Sequence, residues 1–150
     1  MLESFGVVKT SLTRCFVEHI FSEDYQVAID IHSLKEAIKI KANLLNLPIW
    51  GTEGTDNMEE TRKAYLPGSK GFVYETDVIR PKTHANHIKH KDYLKTHFSN
   101  VPIITLGNKS HLLPKRSLSK KMKFLEMLLS AEKRNNVKRL LERMAKKLLS

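Results

Sequence analysis

The 150-residue chain has one cysteine, Cys15, so neither an internal disulfide framework nor a cysteine-rich zinc site can be built from it. No apolar run approaches the roughly 20 consecutive residues that a membrane-spanning helix needs. Glu3 stands where a secretory leader would be basic, and no long apolar stretch follows it. Internal repeats and low-complexity linkers are also missing. What remains is the expectation of one compact domain over residues 1–150, in the cytoplasm, with 41% hydrophobic residues to build its core. Acidic residues are scarce in one region above all. From Pro114 to Ser150, twelve Lys and Arg face only Glu126, Glu132 and Glu142, which places +9 of the +10 net charge there. Such a tail could meet nucleic acid, anionic lipid or an acidic partner. A solvated helix face accounts for it more simply.

Hydrophobic spacing divides the chain into strands and helices. Leu12, Cys15, Phe16 and Ile20 supply a buried stripe for a helix from about Thr10 to Ile20, and Cys15 is read as a small core residue on it. Ile29 to Ile40 and Leu45-Leu47-Ile49 are expected to form an antiparallel hairpin turning at Ala42-Asn43, with Pro48 weakening the second strand. Trp50 is expected in the core at that strand's end. Gly51 to Gly68 is polar and turn-rich, with room for one helical turn. Phe72-Val73-Tyr74 is a short strand, Pro81 to about Phe98 a helix, and Val101 to Leu106 a buried strand. Lys120–Leu129 and Asn136–Leu149 are expected to be helices; on the second, Val137, Leu140, Leu141, Met144 and Leu148 share one face. Alternating strands and helices imply an α/β domain with a mostly parallel sheet. His84, His87 and His90 have a spacing that invites a zinc reading, but His84 and His90 lie six apart on a helix. We expect a solvated face there.

Two short stretches carry chemistry. Gly6-Val7-Val8-Lys9-Thr10-Ser11 has the form of the second half of a phosphate-binding loop opening a helix. In such a loop backbone N–H groups cradle phosphate, lysine neutralises its oxygens and Ser or Thr holds Mg²⁺. Far downstream, Gly107-Asn108-Lys109 follows the buried strand. Together they suggest the remains of a nucleotide site.

Read in order, these pieces resemble the Ras superfamily of small GTPases, and its Rab branch in particular. Gly6-Val7-Val8-Lys9-Thr10-Ser11-Leu12 is similar to the end of the Walker A loop. Phe21-Ser22-Glu23-Asp24-Tyr25 resembles the approach to switch I, and Leu47-Pro48-Ile49-Trp50-Gly51-Thr52-Glu53-Gly54 the strand entering switch II. Val101 to Lys109 resembles the strand carrying the guanine motif. Ser130-Ala131 and Asn135-Asn136-Val137 look like the last base-contacting loop and the final helix. The resemblance implies a three-layer P-loop NTPase-type G domain, its first strand largely missing because only Met1 to Phe5 precede the loop. It also implies GTP or GDP held by Gly6, Lys9, Thr10, Ser11, Gly54, Asn108, Lys109, Ser130 and Ala131, and Thr10 as the one metal ligand retained.

Where the chain departs from the pattern, activity should suffer. Val8 replaces the glycine before the lysine, where a β-branched residue tolerates positive φ poorly. The loop's first glycine falls on Glu3. Ala28 stands at the switch I threonine and Gly51 at the aspartate that holds Mg²⁺ through water, so a firm Mg²⁺ site is not expected. Thr55 replaces the water-orienting glutamine, which implies little or no hydrolysis and no catalytic residue. His111 stands at the guanine-binding aspartate; losing that charge-assisted pair costs about 1.5–3 kcal/mol. Glu132 replaces a lysine. The expected partners are regulatory or effector proteins at the switch-like loops. No cysteine near Ser150 offers a prenylation site. Two other functions stay open, a nucleotide-independent interaction module and a basic binder of nucleic acid or lipid through residues 115–147.

Overall fold

The computed structural model describes residues 2–3, 32–51, 57–59, 66–80, 82–113, 125–130 and 136–150. The expected first helix, Cys15 and the switch I-like segment lie outside them. Four strands form a parallel sheet in the order β1-β4-β5-β6: β1 Leu2–Glu3, β4 Phe72–Asp77, β5 Ile103–Asn108 and β6 Met127–Leu128. A separate two-stranded ribbon pairs β2, His32–Ile40, with β3, Asn43–Gly51. Helix α1, Lys82–His97, joins β4 to β5, and helix α2, Val137–Leu149, follows β6.

Strand alternation sends the two helices to opposite faces. Phe72, Tyr74 and Ile103 belong to a cluster with Leu94, Tyr93 and Phe98 of the α1 side. Val73, Ile104 and Leu106 point the other way and join Leu140, Leu141, Met144 and Ala145 of α2. Side chains one residue apart on a strand occupy opposite faces, so these two clusters make a helix–sheet–helix sandwich. The expected α/β architecture is present. Each fully buried leucine in it, such as Leu94 or Leu140, contributes about 1.5–3 kcal/mol.

The ribbon packs Ile38, Ile40, Leu45, Leu47 and Ile49 against the α2 cluster. Its turn is Lys41-Ala42, one residue earlier than expected, because Ile40 pairs with Asn43 and leaves Lys41 at φ 54°. Pro48 is accommodated for a simple reason. Counting from the closing Ile40–Asn43 pair, its pairing with Lys35 falls at a non-hydrogen-bonded position, so the missing N–H would have pointed away from β2. Trp50 is on the outward face and 54% exposed, contrary to the core position expected; Ile49 takes the inward one.

Other expectations shift in detail. Met58 and Glu59 supply the helical residues expected within Gly51 to Gly68. Strand β4 continues past Tyr74 through Glu75, Thr76 and Asp77. The segment read as the end of a helix at Leu129 contains β6 instead: Met127 pairs with Leu106 and Leu128 with Gly107. A short apolar run carries no period that separates a strand from a helix, and sheet pairing decided it. The α1 histidines are not on a solvated face. His87 and His90 are buried with Thr83 and Leu94, while His84 is half-buried. His90 Nδ1 and the Tyr74 hydroxyl share a 2.7 Å hydrogen bond, and Tyr74 meets both His87 and His90 edge-on.

Candidate functional site

The carboxyl ends of β4, β5 and β6 meet at one edge of the sheet. In α/β sheets this edge is where ligands are held, because the loops leaving the strands converge there. Asn108 closes β5 and is the register partner of Asp77, which closes β4. Both are buried, and so is Glu75. Alternation explains why they meet: Glu75 and Asp77 follow Val73 on the α2 face of β4, as Asn108 follows Ile104 and Leu106 on β5. Two carboxylates therefore occupy positions that the pattern reserves for apolar side chains.

Each group has a hydrogen-bond partner. Asn108 Nδ2 donates to Glu75 Oε1 at 2.6 Å, and Asn108 Oδ1 accepts from the Lys109 N–H at 2.7 Å. The second bond caps the sharp turn out of β5, where Lys109 has φ 61° and ψ 28°. Lys109 Nζ reaches back to Asp77 Oδ2 at 2.6 Å, and Asp77 Oδ1 accepts from the Ile79 N–H at 3.0 Å. Burial pushes the Glu75 carboxyl up to about 7, and the nearby Asp77 adds to this; the Asn108 hydrogen bond and Lys109 act the other way.

The loop after Lys109 is tied to the end of β6. The Ser110 N–H donates to the Leu129 carbonyl at 3.1 Å, and Ser130 Oγ shares a 2.7 Å hydrogen bond with His111 Nδ1. Asn136 Nδ2 donates to the Leu128 carbonyl at 2.9 Å, which fixes the start of α2 beside the same edge. Gly107 makes close packing possible here: a Cβ on it would lie 2.5 Å from Val78 Cγ1 and 2.7 Å from Leu125 Cδ1.

Among the sequence-derived candidates, Asn108, Lys109 and Ser130 are thus brought to one edge, with His111 beside Ser130. Gly6, Lys9, Thr10, Ser11, Gly54 and Ala131 lie outside the described residues. Gly51 ends β3. Sequence reasoning missed Glu75 and Asp77. Their signal was available, since two acids at alternate positions in Phe72-Val73-Tyr74-Glu75-Thr76-Asp77 are costly to bury and demand partners.

A model of the Ras family matches residues 1–150. The chain belongs to the Ras family. The GTP-binding protein Rit1 of Mus musculus is 30% identical over 122 residues, covering 80% of this chain and 55% of that protein. The Ras-related protein Rab-7b of Mus musculus is 31% identical over 113 residues, or 73% of this chain and 57% of the relative. The Ras-related protein RABG3d of Arabidopsis thaliana is 29% identical over 115 residues, 73% of this chain and 56% of the relative. This Ras-family chain therefore spans about half the length of the curated relatives it matches. The edge holding Asn108, Lys109 and Ser130 is its candidate functional site. The described helices contain none long and apolar enough to cross a membrane.

Proposed function

We propose that this chain is a guanine-nucleotide-binding domain of eroded type, which holds GTP or GDP weakly and cleaves GTP little or not at all. The observation that carries this reading is the convergence of Asn108, Lys109 and Ser130 at the carboxyl edge of the parallel sheet of a Ras-family chain. Weakness is supported by the way these groups are already engaged. The Asn108 amide spends one donor on Glu75 and its oxygen on the Lys109 N–H. His111, bonded to Ser130, offers an imidazole where a carboxylate would take two hydrogen bonds from guanine. The fit to the base is partial, through Lys109 and the loop backbone.

Little or no hydrolysis is supported by Thr55 and Ala28 in the sequence, since neither side chain can orient water as an amide does or report on a γ-phosphate. Gly51 brings no carboxylate to the end of β3, and the hydroxyl of Thr10 alone is a poor ligand set for a hard dication. We therefore infer that Mg²⁺ contributes little to affinity. Regulatory or effector proteins are the partners this reading implies. A nucleotide-independent interaction module is the alternative, supported by the same internal engagement of Asn108. Titration with fluorescent GDP and GTP, with Mg²⁺ and with chelator, separates them. Saturable binding in the micromolar range, little altered by chelation and competed by GDP, is expected. No binding at high micromolar nucleotide overturns the nucleotide reading in favour of the alternative.

A further inference from the structure

Asp77 links two structural elements that the sequence keeps apart. Its side chain, fully buried, accepts from the Ile79 N–H through Oδ1 and from Lys109 Nζ through Oδ2. Its main chain holds the first turn of α1. The Asp77 N–H and carbonyl lie 3.3 and 3.2 Å from Thr83 Oγ1, and His84 Nε2 donates to the same carbonyl at 3.2 Å. The Arg80 N–H donates to that carbonyl at 3.0 Å, and the Thr83 hydroxyl also reaches the Arg80 carbonyl at 2.8 Å.

The consequence for Lys109 is geometric. A lysine side chain has four rotatable carbons and loses up to about 2 kcal/mol of rotamer entropy when fixed. Lys109 is three-quarters covered, its backbone is held in the left-handed region by the Asn108 cap, and its ammonium is anchored 2.6 Å from a buried carboxylate that is itself bonded to the Ile79 N–H. The aliphatic stem between these two fixed ends is a preformed wall of the base-binding edge. The anchor is rigid because the turn after β4 and the start of α1 are built around the same residue.

Resting on the reading of Asn108-Lys109 as the base-binding loop, we propose that Asp77 is a positioning residue for the nucleotide: it pins the Lys109 ammonium so that the lysine stem is already placed when the base arrives. It touches no nucleotide itself. Preorganisation of this kind raises affinity by removing an ordering cost at binding.

The test is a double-mutant cycle read by fluorescent GDP affinity, with the wild type, Asp77→Asn, Lys109→Met and the double variant, each checked by thermal unfolding. Asp77→Asn keeps an oxygen for the Ile79 N–H and presents no charge to Lys109. It is expected to weaken GDP binding about tenfold, because most of the lysine's ordering cost then falls on the binding step. In the Lys109→Met background the same change is expected to do nothing, because it acts only through that lysine. Equal losses in both backgrounds, or no loss in either, overturn the positioning role. Lys109→Met leaves a buried carboxylate unpaired and could fail to fold. The Lys109 Nζ resonance is therefore followed by NMR in wild type and Asp77→Asn: a shifted, slowly exchanging ammonium that becomes ordinary in the variant supports the anchor, and an unchanged one removes it. Wild-type protein that binds no GDP overturns the nucleotide reading and this proposal together, whereas wild-type binding with additive losses overturns only the role of Asp77.

Discussion

Glu75→Gln is the substitution whose effect the structure specifies most closely. The carboxyl is buried in the sheet, accepts one hydrogen bond from Asn108 and is pushed from 4.5 to about 7. Because the folded-state value lies above the unfolded one, the folded protein retains a proton that the unfolded chain has already released between those values. Stability from this group is fully present below 4.5 and is lost as pH rises through 7. At 1.36 kcal/mol for each pH unit, the displacement amounts to about 3 kcal/mol at pH 8.5. Glutamine keeps an oxygen to accept from Asn108 Nδ2 and carries no charge to bury. Glu75→Gln should therefore match the wild type near pH 4.5 and exceed it by about 3 kcal/mol at pH 8.5. Urea unfolding at a series of pH values, with the slope on urea held as a check on the unfolded state, measures the difference. His87 tilts both curves alike between 4 and 6.5, so subtraction removes it. Parallel curves from pH 5 to 8.5, or a glutamine variant weaker than wild type at high pH, would refute the assignment of a costly buried anion at Glu75.

His87 acts in the opposite direction. Burial first, then Lys91, His84 and His90, lower it from 6.5 to about 4, so its stabilisation is present above 6.5 and is lost as pH falls toward 4. His87→Leu should remove that dependence, and its stability relative to wild type should rise by up to about 3 kcal/mol between pH 7 and pH 4 in the same urea assay. Gly107→Ala should cost about 1–3 kcal/mol, since its Cβ would press Val78, Leu125 and Leu128; a thermal midpoint equal to wild type would show that these side chains yield freely.

The amphipathic last helix and the Ile103–Asn108 region were legible because their patterns are strong. Val137, Leu140, Leu141 and Met144 recur at helical spacing, and an uncharged apolar run of that length is a buried strand wherever it is covered on both sides. Asn108, Lys109 and Ser130 were legible as candidates because the order of short motifs resembled a known family. The histidines of α1 were misjudged for a physical reason. His87, His90 and Thr83 form the helix's inward stripe, yet a polar stripe gives no hydrophobic signal; the Tyr74 hydroxyl and ring opposite the two histidines help make that burial tolerable. Trp50 is exposed because the alternation that turns Leu45, Leu47 and Ile49 inward turns its ring to the opposite face.

By itself the sequence determined the α/β class, the basic last helix, the single-cysteine chemistry and the family resemblance, since each depends on composition, local period or motif order. Tertiary structure alone decided that Glu75 and Asp77 lie behind the Asn108-Lys109 loop, that Ser130 bonds His111, and that β6 is a strand. Those facts depend on the register between strands about 30 residues apart in the chain, because a one-residue slip turns every side chain to the other face. No local pattern encodes that register; it is set when β4 and β5 pair and the two helices close over them.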